Sequence, residues 1–245
     1  MTITISPVEA DDIKALIRLN EAAFSWTYSL LFDGPLKEST IDAIAEKRIK
    51  ALHEQDEKSG SQGQEHPANK SFDFKAVDDS TGEIVGEAHW MIYYEDEELT
   101  KSIEDEVEDR INPPIPQMQV QPTAEFGRIL ATTKRETLAV PSETGETTAD
   151  PGAPIKLRKR VYLGVLVVHP NHQKRGIGRQ LLQWGLDEAD RLGLVTYLEA
   201  STDGVRLYES AGFEKLKDVF MNLRPFGAKG DLPIRLMIRQ PKPTN

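Results

Sequence analysis

Between Val161 and Val168 the chain reads V-Y-L-G-V-L-V-V, with apolar residues at positions of both parities. A strand that is apolar on both faces belongs in the middle of a sheet covered on both sides. His169-Pro170-Asn171 ends it, because proline cannot continue the ladder and restricts the residue before it. Ile177, Leu181, Leu182, Gly185, Ala189 and Leu192 then recur at helical spacing, and Gly193 suits the residue just past a helix end. Upstream, Thr2–Ser6 alternates like a strand, and Glu9–Phe24 and Lys37–His53 carry amphipathic helical patterns. Phe72–Val77 and Glu83–Tyr93 predict a hairpin around Asp78-Asp79-Ser80-Thr81-Gly82. Downstream, Leu194–Ala200 reads as a strand, and Ser201-Thr202-Asp203 offers capping oxygens to a helix running through Ala211. Phe213–Phe220 and Ile234–Arg239 read as closing strands, joined by residues 223–233. The pattern predicts a mixed α/β fold: a twisted central sheet with helices on both faces.

Two stretches break the rhythm. Ser25–Phe32 is aromatic and apolar without clear periodicity, so Trp26, Tyr28 and Phe32 either line a pocket or pack the core. From Glu95 to Arg160 the character changes. An acidic run, with Leu99, Ile103 and Val107 four apart, predicts a solvated helix that Pro113-Pro114-Ile115-Pro116 ends. Residues 117–154 are rich in Pro, Thr, Glu and Gly and show little periodicity outside Glu125–Ala131. The expectation is one domain over residues 1–245 with a long insertion at about 95–160 between the third and fourth strands. On this reading the insert carries too few apolar residues to be a major part of the core. Residues 54–70, polar and Gly/Ser-rich, predict an exposed loop.

Composition narrows the function classes. The absence of cysteine removes disulfides, a thiolate nucleophile and Cys-ligated zinc. A net charge of −10 argues against a general nucleic-acid binder or a protein of anionic membrane surfaces. The N-terminus lacks a basic region followed by an apolar one, and no apolar run approaches the length of a bilayer span. The cytoplasm is therefore the expected compartment, with the nucleus as a second. His169 and His172 lack acidic neighbours in sequence, so no metal site is expected from them.

The candidate chemistry lies after the central strand. Gln173-Lys174-Arg175-Gly176-Ile177-Gly178 places two glycines and two cations at the start of a helix. First-turn amides have no partner inside a helix, and the macrodipole adds positive partial charge there. Glycines allow a polyanion close to the backbone, so the segment has the design of a phosphate site. It is neither a P-loop nor a full dinucleotide fingerprint.

In this setting Gln173 to Gly178 resembles the acetyl-CoA motif Q/R-x-x-G-x-G/A of the GNAT (Gcn5-related) N-acetyltransferases. L-E-A-S-T-D-G-V-R-L-Y-E-S-A-G-F, Leu198–Phe213, resembles the same family's following strand, helix and L-Y-x-x-x-G-F. The resemblance is close from Val161 to about Val219. It implies direct transfer of an acetyl group from acetyl-CoA to a primary amine in a ternary complex. Backbone groups of Leu166, Val167 and Val168 would hold the pantetheine arm like an added strand, and the Val168 amide would also face the oxyanion. Amides of Arg175, Gly176, Ile177, Gly178 and Arg179 would cradle the pyrophosphate, with Gln173 and Lys174 beside them. Ser201 stands where many members carry an asparagine that touches the pantetheine.

Two catalytic positions follow from the resemblance, Tyr208 and Tyr162. Tyr208 would protonate the departing thiolate; the alternative is a buried tyrosine with a structural hydroxyl. Tyr162 stands where some members carry Glu or His. A phenol with a pKa of about 10 is a poor base at neutral pH, which leaves Glu87, His89, Glu199 or a chain of waters. Glu87 and His89 are expected on one strand face with Val85, Met91 and Tyr93. The insertion and the aromatic first loop favour a small-molecule amine as acceptor. The alternatives are a protein lysine or N-terminus, or a non-catalytic acyl-CoA-binding module.

Overall fold

The computed structural model describes residues 2–59, 68–141 and 155–243. Its strands are β1 Ile3–Pro7, β2 Asn69–Asp78, β3 Glu83–Tyr93, β4 Glu97–Leu99, β5 Ile155–Leu157, β6 Arg160–Val168, β7 Thr196–Ala200, β8 Glu214–Asn222 and β9 Asp231–Arg239. The helices are α1 Ile13–Ala23, α2 Ser25–Leu31, α3 Glu38–Ser59, α4 Ile103–Ile111, α5 Val120–Leu138, α6 Ile177–Leu192 and α7 Val205–Ser210. Seven strands form one sheet in the order β1-β2-β3-β6-β7-β9-β8, and β4 pairs with β5 separately. Only β6 and β7 run parallel; every other neighbouring pair is antiparallel.

Helices cover both faces, as the apolar pattern requires of a central strand. On one face α6 lays Ile177, Leu181, Leu182 and Leu186 on Ala88, Trp90, Val161, Leu163 and Leu198. The other face is divided. Leu16 and Ile17 of α1 and Ile41 and Ala45 of α3 pack with Val167 of β6. On the far half, Leu138, Phe126, Ile129 and Leu130 of α5 pack with Tyr197 of β7 and Ile234 and Leu236 of β9. The two helical layers thus meet over the junction of β6 and β7.

Several expectations need correction. Residues 120–138 are not an aperiodic loop but α5, in which Ala131 and Leu138 are buried. Its four threonines hid the pattern, yet Thr133 Oγ1 donates to the Ile129 carbonyl at 2.7 Å and Thr137 Oγ1 to the Thr133 carbonyl at 2.6 Å. Hydroxyls satisfied inside the helix leave it free to bury a face. The insertion therefore does contribute core, and residues 142–154, the rest of that reading, lie outside the described residues. Leu99 belongs to β4, and the acidic helix starts at Ile103 behind a capping box of Ser102 and Asp105. Ser25–Leu31 is helical; Tyr28 and Leu31 serve one core cluster and Leu30 another, and burial on two sides erases the polar stripe. Helix α3 runs on to Ser59, six residues past the expected end. A register shift between Ala76 and Val77 turns Val85 to the α6 face, opposite Glu87. At α7 the N-cap is Gly204 with no side-chain bond, so Ser201, Thr202 and Asp203 do not cap it.

Candidate active site

Strands β6 and β7 stay together for only three residues. Val161, Tyr162 and Leu163 face Thr196, Tyr197 and Leu198, and from there the strands part. Glu199 and Ala200 of β7 pair with β9 alone, opposite Leu236 and Arg235. On its other edge β6 remains on β3 as far as Val168 opposite Gly86, with a bulge at Gly164 that sets two residues of β6 against one. Among the described residues, the main chain of Gly164–Val168 therefore has no strand neighbour on the β7 side. Such an open edge accepts an extended ligand as if it were a strand. Of the residues expected here, Val167 is buried while Leu166 and Val168 are half-buried against the α6 face.

Beyond Val168 the chain turns into α6. Gly176 is the N-cap at φ 81° with no side-chain cap, and nothing lies within 4 Å of where its Cβ would be. An L side chain rarely adopts that backbone, so glycine keeps the approach open. Ile177 is buried and anchors the helix, so it offers only its amide. Lys174 also takes a positive φ, 61°, and is exposed. Gln173 Nε2 donates to the Val168 carbonyl at 3.3 Å, and Arg175 Nη1 lies 3.4 Å from His172 Nδ1. The Arg179 amide donates to the Gly176 carbonyl at 3.1 Å, and its guanidinium reaches Ser210 Oγ at 3.5 Å. Gly178 lies against α7: a Cβ there would sit 3.3 Å from Leu207 Cδ2. Ser201 is exposed at the end of β7, and its carbonyl accepts from the Gly204 amide at 3.1 Å. His172 is not without acidic neighbours: folding brings Asp78 within 3.9 Å and Glu83 within 3.7 Å.

The groups suited to acid–base work lie on both sides of the parted strands. Tyr208 of α7 is buried edge-on to Phe213 at 5.7 Å, and its hydroxyl has no hydrogen bond among the described residues. Burial raises its pKa above the ordinary phenol value, so it stays protonated. Tyr162 donates from its hydroxyl to Glu199 Oε2 at 2.9 Å. Burial first, then the Glu199 charge, lifts the Tyr162 pKa well above normal, so Tyr162 is a donor here. Burial also raises the Glu199 carboxyl, with the Lys134 ammonium pulling the other way. Glu87 is enclosed by hydrogen bonds from Arg48 and Asn20. Burial pushes the nearby Tyr28 phenol up to about 12. Of the three aromatics in the first loop, Trp26 is exposed, Phe32 is core, and Tyr28 alone stands near these charges.

Two arrangements were not readable from the sequence. His89 Nδ1 lies 2.8 Å from Asp73 Oδ1, a cross-strand pair set by the β2–β3 register. Gln117 bonds the loop before α3: its Nε2 donates to the Asp33 and Pro35 carbonyls at 2.7 and 3.0 Å, and its Oε1 accepts from the Lys37 amide at 2.8 Å. A regular hairpin would set Asp73 opposite Ala88; the register shift between Ala76 and Val77 brings His89 there instead. Nothing in the sequence signalled the second.

Comparisons with known proteins agree with this geometry. Residues 143–215 match the family model described as an acetyltransferase (GNAT) domain. The protein named Probable acyltransferase SID5 from Ajellomyces capsulatus is 48% identical over 44 residues, which is 18% of this chain and 32% of that relative. The chain thus spans about a third of that relative's length. Arylalkylamine N-acetyltransferase 2 from Aedes aegypti has a TM-score of 0.58 at 12% identity, covering 99% of this chain and 100% of that one. Polyamine N-acetyltransferase from Drosophila melanogaster has a TM-score of 0.55 at 11% identity, covering 98% and 100%. At such identities the fold is what these structures share. The central motif and the parted strands both lie within the stretch that matches the GNAT acetyltransferase domain model, and it is this part of the chain that resembles that family.

Proposed function

We propose that residues 1–245 act as one N-acetyltransferase domain, with an insertion at 95–160, that moves the acetyl group of acetyl-CoA directly to a primary amine. The observation that carries this reading is the parting of β6 and β7 in front of the glycine-capped start of α6. The open edge suits the amide-bearing pantetheine arm, and the α6 amides with Lys174 and Arg175 suit the pyrophosphate. Acetyl-CoA is a substrate here, consumed in each turnover. Tyr208 would protonate the leaving sulfur. Leu207, its neighbour, touches Gly178, so α7 flanks the same cleft.

The acceptor we favour is a small molecule. The segment 117–119 is tied to residues 31–33 by the Asp33 amide on the Gln117 carbonyl and the Gln119 amide on the Leu31 carbonyl, both 2.8 Å. We read that closure, with α5 over the neighbouring strands, as favouring a compact acceptor over a peptide. The arylalkylamine and polyamine enzymes named above share the fold, which makes amines of both kinds the first to screen.

Calorimetry with acetyl-CoA and a mass-spectrometric screen of polyamines, arylalkylamines, amino acids and peptides test the proposal. The expected result is binding by the wild type, loss of binding in Gly178→Glu, and acetylation of a small amine. Thermal melts of the free proteins show whether Gly178→Glu is folded. Equal affinity in a folded variant would remove the nucleotide site from this loop, and acetylation confined to peptides would overturn the choice of acceptor.

A further inference from the structure

We propose that His89, held by Asp73, is the general base that takes the proton from the attacking amine. This rests on the acetyl-transfer reading above and names the residue that reading leaves open. His89 lies on β3 directly opposite Asp73 of β2, and Nδ1 is 2.8 Å from Asp73 Oδ1. A proton on Nδ1 shared with that carboxylate leaves the Nε2 lone pair bare. The imidazole is turned to the bulge in β6. A Cβ on Gly164 would lie 3.0 Å from His89 Cδ2, 3.8 Å from Nε2 and 3.5 Å from Tyr162 Cε1. Gly164 is thus a notch between two rings, at the point where β6 leaves β7 and the open edge begins. The His89 side chain keeps 29% of its surface accessible, so a substrate can reach it.

The competing groups are otherwise engaged. Glu87, on the same face of β3, is 1% exposed, with one oxygen on Arg48 of α3 and the other on Asn20 of α1. Glu199 of β7 accepts from Tyr162 through one oxygen, and its other oxygen is buried out of contact with solvent. The charged and titratable groups around His89 are thus Asp73 on β2, the Glu87–Arg48 pair, and Tyr162 on β6 with Glu199 behind it. Among these groups His89 alone combines an oriented ring, a free nitrogen and access.

The step balances as follows. A neutral amine attacks the acetyl carbonyl and a nitrogen–carbon bond forms. Nε2 of His89 takes one proton from that nitrogen, and the Asp73 carboxylate stabilises the imidazolium. The carbon–sulfur bond breaks with its electron pair on sulfur, which Tyr208 protonates. Solvent then removes the proton from His89 and restores the one on Tyr208. The products are the acetamide and free CoA thiol.

The test is the pH profile of kcat/KM for wild type, His89→Gln and Asp73→Asn, with acetyl-CoA affinity and melting temperature measured on each. His89→Gln should lower kcat/KM by about 10²–10⁴-fold, leave acetyl-CoA affinity within about twofold, and lose the acidic limb. Added imidazole should restore part of the rate in His89→Ala, a rescue that a packing role would not give. Asp73→Asn should also lower kcat/KM, because the carboxylate that orients the ring and steadies the imidazolium formed in the reaction is gone. If His89→Gln does not fold, the imidazole rescue and the Asp73→Asn rate decide alone. A wild type that acetylates no amine would sink the acetyl-transfer reading itself. An active wild type whose His89→Gln variant keeps its rate and its acidic limb would sink only the base, as would a limb that vanishes in Glu199→Gln instead.

Discussion

Among single residues, Tyr208 separates chemistry from packing most cleanly. A buried tyrosine with a hydrogen-bonded hydroxyl would lose stability when cut back to phenylalanine. This hydroxyl has no such partner among the described residues, so the fold has little to lose, while the ring keeps its edge-on contact with Phe213. Tyr208→Phe should therefore melt within a degree or two of wild type and bind acetyl-CoA equally well. Its kcat should fall by about 10²–10⁴-fold, the usual contribution of a positioned acid. Because burial raises the Tyr208 pKa, the wild-type rate should hold up to about pH 10, the ordinary phenol value, before any loss from phenol ionisation. Single-turnover rates beside thermal melts make the measurement; a kcat unchanged within about twofold would leave Tyr208 a packing residue.

At the scale of elements, α5 changes how the insertion is understood. It covers Tyr197, Ile234 and Leu236 on the half of the sheet that α1 and α3 leave bare. It is also bound to α4 through Arg135 and Glu106 at 2.6 Å and Arg128 and Glu104 at 2.8 Å. Leu138→Ala, at a residue with no exposed surface, should cost about 2–5 kcal/mol in denaturant unfolding. Deleting residues 95–154 should abolish cooperative unfolding, since it strips that sheet face. A deletion variant that still melts cooperatively and binds acetyl-CoA would show α5 to be dispensable. The same helix shows where sequence reading stops. Strands β3 and β6 and helix α6 were legible because each has one apolar rhythm and clear punctuation, and the nucleotide loop because its glycines have a local cause. Helix α5 was not, since threonine and glycine interrupt its apolar face, and α2 was not, since it is buried on two sides. The pairing of His89 with Asp73 and the contacts of Gln117 depend on which backbones become neighbours, which residue types alone do not encode.

The molecule as a whole carries 40 acidic against 30 basic side chains, and several of the acids are tied down by arginines. Arg239 holds the Asp190 carboxyl below its usual range, joining the end of α6 to β9 at 2.7 Å, and Arg235 holds Asp218 down at about 2. A carboxyl lowered on folding contributes stability above its unfolded pKa and loses it as pH falls towards the folded value. Melting temperature should accordingly drop between about pH 4 and pH 2. Glu199 has the opposite sign: its pKa is raised by burial, so its ionised form is a penalty that grows as pH rises past the unfolded value. Glu199→Gln should raise the melting temperature at pH 8 and leave it nearly unchanged at pH 4. A uniform effect at both values would contradict the buried-charge explanation. The open edge of β6 also bears on how such a chain can drift through evolution. Where peptide groups do the holding, any residue that keeps the strand extended and fills the same space serves equally well. The letters from 165 to 168 are then weakly constrained, and the Aedes aegypti enzyme shares the fold at 12% identity. Glycine is needed only where a side chain would crowd a neighbour, as at Gly164 beside His89, or where the backbone takes a positive φ, as at Gly176.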